Sequence, residues 1–379
     1  MSEYQYYEFL AIDRPLDRAA QDALRSISSR ARITATSFAN HYEWGELKGD
    51  PGKFMERWFD LHLYVANWGT RRLMIRVPKR FVSRADIEPL LGEIDWVKVS
   101  TANDNLIIDI CHQEEGGYDD WEDGSSRLAG LAPLRSDVLS GDLRLFYLLW
   151  LTAVENELVP DEEVEPLQGL APLTGPLEAF AEFFYIDRDL VEAAAEQGQA
   201  HPQLTGDALR KRLAAIPDHE KVEFLMRIVE GDALAGVDLK GRLGRTSPRT
   251  AHRRTAGTLR IRAEEIRRAR ERADAERRAA ERRREAAAAE KALRVRLKAL
   301  KQRGATVWDE IGAEIERRNA AGYEVAMGLL SDLQVLAREE GSEQEFNRRL
   351  GALRTRHEKK GKFIERLNKL RRGGEEEAG

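Results

Sequence analysis

Hydrophobic positions along this chain change their period, and the change divides it into regions. Over the first 115 residues the dominant rhythm is two, with β-branched and aromatic side chains alternating with polar ones, as half-buried strands require. "QYYEFLAI" reads as a first strand, and 31–44, "ARITATSFANHYEW", as a second. "LHLYVANWG" and "RRLMIRVP" follow, separated at Gly69 and Thr70, and "DWVKVSTANDNLIIDICHQ" predicts a hairpin turning at Asn103 to Asn105. Between the first two strands, Leu16, Ala20, Leu24 and Ile27 form a helical stripe, with Asp13 expected as its N-cap and Pro15 in its first turn. The pattern predicts an α+β domain over 1–115 with a mostly antiparallel sheet.

After the acidic, glycine-bearing loop "QEEGGYDDWEDGSS", strand signals stop. From 127 to 235 leucine, alanine and phenylalanine recur at helical spacing, interrupted by the proline-bearing linker "VPDEEVEPLQGLAPLTGP". The longest apolar run, "LRLFYLLWLTAV", is too short to cross a bilayer and reads as a buried helix. A long charged helix is expected over 247–303, starting at Ser247 and Pro248 or at Thr258 and stopping at Gly304. From 258 on it would run roughly 70 Å. A C-terminal helical module over 305–371 follows, read as three helices: 307–318 with a Thr306/Asp309 capping box, 323–338, and 343–371 capped by Ser342 and Glu345. His357 sits on the stripe of the third, and a disordered tail is expected over 372–379.

Charge sharpens this division. The net charge is −5, yet 1–248 carry −16, 249–303 carry +12 and 304–379 carry −1. Three uses of the basic helix compete. A coiled-coil seam has Leu259, Ile266, Ala273, Ala280 and Ala287 every seventh residue, but Arg262, Ala269, Glu276, Arg283 and Glu290 at the partner positions, so only half a seam exists; pairing into a homo-oligomer stays open. A solvated spacer is supported by Arg/Glu pairs three or four apart. Weak nucleic-acid binding would use the surplus charge, with Arg267, Arg268, Arg277, Arg278, Arg282, Arg283 and Arg284 as phosphate contacts; no aromatic residue lies between His252 and Trp308 to stack on bases. The acidic 1–248 could equally be the helix's partner, in cis or in trans.

Candidate chemistry is sparse. Cys111 is the single cysteine, which excludes an internal disulfide; it reads as a small buried side chain with its neighbour His112 on the opposite face of the strand. His41, His62 and His112 with Asp60 lack a tight metal-ligand spacing. No catalytic residue, metal or cofactor is expected. The densest candidate surface, for a ligand or partner, lies within 41–80: Tyr42, Trp44, Trp58 and Trp68 beside Arg71, Arg72, Arg76, Lys79 and Arg80. The opening residues show no secretory signal pattern, and a cytoplasmic location is expected.

"YYEFLAIDRPL", "ARITATSFANHYEWGELKGDP" and "YVANWGTRRLMIRVP" resemble the opening of a group of uncharacterised bacterial proteins, a resemblance that covers about 110 residues and implies no function. The tail from Tyr323 to Leu367 is similar to helices beside SWIM zinc fingers in bacterial proteins; the cysteine ligands of such a finger are absent, so zinc binding is not implied. The expectation is therefore a non-enzymatic adaptor that engages a protein partner through its helical C-terminal part, with nucleic-acid association through the basic helix, or a small-ligand-binding protein or enzyme with its site in 41–80, as alternatives.

Overall fold

A computed structural model describes residues 3–92, 94–113, 124–197, 206–243 and 253–376, with side chains described up to Asn368. Most of the acidic loop, the Ser247/Pro248 helix start and the last three residues lie outside these. The chain divides into two compact units, Met1–Arg270 and Glu271–Gly379.

The first unit opens with β1 (Gln5–Leu10), α1 (Arg18–Ile27), β2 (Arg32–Ile33), β3 (Ser37–Tyr42), α2 (Pro51–Arg57), β4 (Leu61–Ala66), β5 (Thr70–Pro78), α3 (Arg84–Leu91), β6 (Val97–Ala102) and β7 (Asn105–Gln113). All seven strands join one antiparallel sheet in the order β2-β3-β1-β4-β5-β7-β6. The predicted hairpin is β6–β7, turning at Asn103 with φ +53°. The single strand expected over 31–44 is broken into β2 and β3, because the chain bends between them, where Thr34 N donates to the Ser37 carbonyl.

Period-two alternation sends side chains to two different cores. On one face Phe9, Phe38 and Met74 pack with Leu24, Phe54 and Phe59 under α1 and α2. On the other, Leu63, Ile75 and Ile108 meet the helical region. That region comprises α4 (Arg127–Leu131), α5 (Pro133–Leu139), α6 (Arg144–Glu155), α7 (Gly175–Phe183), α8 (Arg188–Ala195), α9 (Gly206–Ala215), α10 (Asp218–Val229), α11 (Ala235–Arg242) and the start of α12 (Ala256–Arg303). α6 is buried without interruption from Leu145 to Val154. At about 1.5–3 kcal/mol per large apolar side chain it contributes more to this core than an amphipathic helix of equal length does. Sheet and helices thus share one hydrophobic interior.

Two buried ionic networks brace this unit. Asp60, fully buried, accepts from the backbone N–H groups of Ile12 (2.6 Å) and Asp13 (2.9 Å) and from Arg76 Nη2 (2.7 Å). Arg135 of α5 grips Asp13 with both terminal nitrogens (2.8 and 2.6 Å) and donates to the Arg76 carbonyl. Asp13 is therefore a long-range anchor, and the cap of α1 is Asp17, whose Oδ1 accepts from Ala20 N at 2.7 Å. The second network lies in the proline-bearing segment expected as a linker. Glu165, 1% exposed, accepts from Tyr147 Oη, from the Arg254 backbone N–H (2.9 Å) and from Arg254 Nη2 (3.1 Å). The Val164–Thr255 bridge and Arg260, which donates to the Val154 and Val159 carbonyls, complete a clasp around the beginning of α12. Gly257 belongs to it: a Cβ there would stand 2.8 Å from that of Asp161.

The second unit contains the rest of α12 with α13 (Thr306–Glu316), α14 (Ala320–Glu340), α15 (Glu343–Arg356) and α16 (Gly361–Glu376). Its core joins Leu300, Val307, Ile311, Tyr323, Leu330, Phe346, Leu353 and Phe363. Gly304, with φ +57°, ends α12 as expected. Three local expectations are corrected. Thr306 forms no capping box, since its hydroxyl donates back to the Arg303 carbonyl. Ser342 makes no side-chain cap. The third helix is two, α15 and α16, broken where His357 turns into the core and Lys360 reaches the Ile315 carbonyl. Helix α16 continues through Glu376, past the position 372 at which an unstructured tail was expected.

No described helix is long and apolar enough to cross a membrane.

Candidate functional site

The aromatic and arginine region of 41–80 is distributed over both faces of the sheet. Arg72 lies on the face of Tyr7 and Tyr64 and forms a bidentate pair with Asp109 (both 2.7 Å). Arg76 is engaged by Asp60 and Lys79 by the Asn103 carbonyl. Tyr42 donates to Ser28 (3.3 Å), and Trp58 packs edge-on to Phe54. Trp68 is half-buried, whereas Trp44 is 79% exposed. Arg71 points to the opposite face, where it donates to the Phe183 carbonyl (2.8 Å), contacts Tyr185 Oη and lies 3.8 Å from that ring's centroid. Arg80 stacks on Phe81 and pairs with Asp238. These nine side chains are not gathered around one groove.

The histidines are equally separate. His62 is fully buried, stacks on Phe9 and has Nδ1 3.0 Å from the Glu8 carbonyl; burial pushes its pKa down to about 3, so it is neutral. His41 stacks on Tyr4 and His112 packs against Trp96. Among the described residues no group of three metal-ligating side chains comes together. Cys111 is exposed, contrary to the expected buried position, because its strand end faces solvent beside Arg72; partial desolvation still pushes its thiol pKa up.

A shallow cavity of about 390 Å³ opens at the corner between α7 and α8, which the sequence did not reveal. Tyr185, at φ +53°, forms the corner, and Asp187 caps α8 by accepting from the backbone of Asp189 and Leu190. Asp189, 2% exposed, lies against both terminal nitrogens of Arg270 (2.5 and 2.7 Å) and Arg267 Nε (3.3 Å), and Arg267 also engages Asp187. The cavity is a charge-compensated seam in which α12 arginines close over α8 aspartates.

The same chemistry extends along the clasped part of α12. Arg254, Arg260, Arg262, Arg267 and Arg270 meet Glu165, Asp161, Glu196, Asp187 and Asp189. The Arg262 guanidinium holds the Glu196 carboxyl below the usual carboxylate range. Leu259 and Ile266, the two largest residues of the half seam, pack into the first unit's own core. From Glu271 to Arg296 the helix is exposed apart from Asp274, Ala279 and Leu293, which are half-buried. Of the seven arginines expected at phosphates, Arg267, Arg268 and Arg277 pair with carboxylates, whereas Arg278, Arg282, Arg283 and Arg284 stand in solvent without one among the described residues.

No family model matches the chain, and no curated protein and no solved structure matches it.

Proposed function

We propose that the protein is a non-enzymatic adaptor that engages a protein partner through its helical C-terminal unit. The observation that carries this reading is the second unit's separate core. Leu300, Val307, Ile311, Phe346, Leu353 and Phe363 close an interior to which the first unit contributes no described residue. A unit that stabilises itself leaves its outer helical faces available for recognition, the manner in which helices bind through one face. Location within the cytoplasm belongs to the same proposal.

The test is capture from the native cell at native levels, followed by reconstitution. Full-length protein is expected to hold a stoichiometric protein partner that purified components reproduce, and a chain lacking 304–379 to lose it. Recovery of the protein alone, or a partner indifferent to the deletion, overturns the reading.

A second reading is favoured by Arg278, Arg282, Arg283 and Arg284, which are exposed and have no ion-pair partner among the described residues. On this reading α12 binds phosphate backbones weakly and without sequence preference, with affinity collapsing between about 50 and 200 mM salt. Three of the four are consecutive and so point around the helix rather than along one strip. Absence of DNA or RNA binding at low salt removes it.

A further inference from the structure

Helix α10 has no buried residue, although half of it is large and apolar. Its inner side is tied down by polar links. Glu220 pairs with Arg242 of α11, Arg227 pairs with Asp232 and Asp238, and Asp238 in turn meets Arg80 from the end of β5. These fix the rotation of the helix and turn Val222, Leu225, Met226 and Val229 outward, at 57, 61, 51 and 82% exposure. Their spacing of three, four and seven is the stripe by which a helix normally buries itself. Here it faces solvent, and an apolar stripe of this kind on a soluble unit marks an interaction surface.

The border of the stripe says what covers it. Asp218, at its N-terminal end, is paired with Lys221 (3.0 Å), whereas Glu223 and Glu230 are exposed along one flank with no ion-pair partner among the described residues; Arg227, four residues from one and three from the other, is occupied by Asp232 and Asp238. Two copies of this face brought together would set these carboxylates against one another, which disfavours a second copy of the chain. The complementary occupant is a helix with an apolar stripe of its own and lysine or arginine beside it.

Resting on the adaptor reading, we propose that α10 is a docking face for a basic amphipathic helix of a partner protein, with Val222, Leu225, Met226 and Val229 as the apolar contact and Glu223 and Glu230 as the charged one. The surface belongs to the first unit and is distinct from the C-terminal unit. It gives the adaptor a second attachment point.

The test uses the full-length protein and two synthetic helical peptides of roughly 18 residues, five turns. Both carry leucine at i, i+3, i+4 and i+7; one has lysine at the flanking positions and the other glutamate. The lysine peptide is expected to bind at least about tenfold more tightly and to shift the methyl resonance of Met226. Leu225→Ser with Val229→Ser is expected to weaken it about tenfold or more, and Glu223→Gln with Glu230→Gln severalfold at low salt. These side chains are exposed, so the variants are expected to keep the wild-type melting temperature. Equal binding of both peptides, an unshifted Met226 signal, or binding indifferent to the serine variant overturns the proposal. So does light scattering that shows a dimer reduced to a monomer by the serine variant, since the occupant is then a second copy. Deletion of 304–379 is expected to leave peptide binding intact, so failure of the C-terminal reading and failure of this one are separable.

Discussion

Two stretches of α12 are alike in their density of arginine and opposite in their surroundings. In the first, Arg254 just before the helix and Arg260, Arg262, Arg267 and Arg270 within it are each held by an acidic partner far away in sequence. In the second, Arg278 to Arg284 face water. An arginine in such a helix is thus a structural clamp or a solvated charge according to what lies opposite, and local sequence does not distinguish the two. Clamps that exclude water couple folding to charge; solvated arginines contribute little to stability.

The contrast is sharpest at Glu165. Glu165→Ala leaves Arg254 buried with its partner gone and is expected to destabilise the first unit by about 3–5 kcal/mol, measured by urea unfolding, while fragments of the second unit keep their hydrogen-exchange protection. A loss below about 1 kcal/mol would place Arg254 with the solvated arginines. Acid comes next. His62 is neutral in the fold with a pKa near 3, against about 6.5 unfolded. Its contribution is complete above pH 6.5 and is lost as pH falls toward 3, at about 1.4 kcal/mol per pH unit. A His62→Leu variant is expected to flatten that limb of the stability curve. In the second unit, burial also lowers the pKa of His357, so acid weakens that unit in the same direction.

Asp189→Ala is expected to cost about 1–3 kcal/mol: it removes the carboxylate that holds Arg270, while Arg267 retains Asp187 and Glu264. Two-step unfolding with early loosening of α8 would show that the seam holds less firmly than the Glu165 clasp. The smallest effect belongs to the solvated stretch. Replacing Arg282, Arg283 and Arg284 together by alanine is expected to leave the melting temperature unchanged, alanine being the better helix former. A fall of several degrees would reveal a partner for those guanidinium groups and end the contrast.

Much of the fold was legible because its signals are local. The alternation in β4, β5 and β7 and the glycine stop at Gly304 are written within a few residues of where they act. The clasp was not. Glu165 sits in a proline-bearing segment that reads as a linker, and Arg254 is 89 residues later among many arginines. Asp13 was misread for the same reason: an aspartate before a helix signals a cap locally, whereas Arg135 claims it from 122 residues away. The break between α15 and α16 left a signal in Gly361, but the continuing stripe of Ile364 and Leu367 outweighed it. Composition singled out the residues of 41–80 as a candidate surface but not the faces of the sheet on which they lie. The exposure of the α10 stripe could not be read, since an apolar period looks the same whether its face is covered or open.

The margins of the sheet also bear on how this protein behaves when crowded. One ends in β2, only two residues long, and the other in β6, which turns Lys98, Ser100 and Thr101 to solvent. A stub and a lysine-bearing edge are poor templates for an incoming strand, and such edges resist the edge-to-edge stacking that leads to fibrils. Strand addition by a peptide is disfavoured by the same geometry. Growth of the sheet into another molecule is thus disfavoured at both ends.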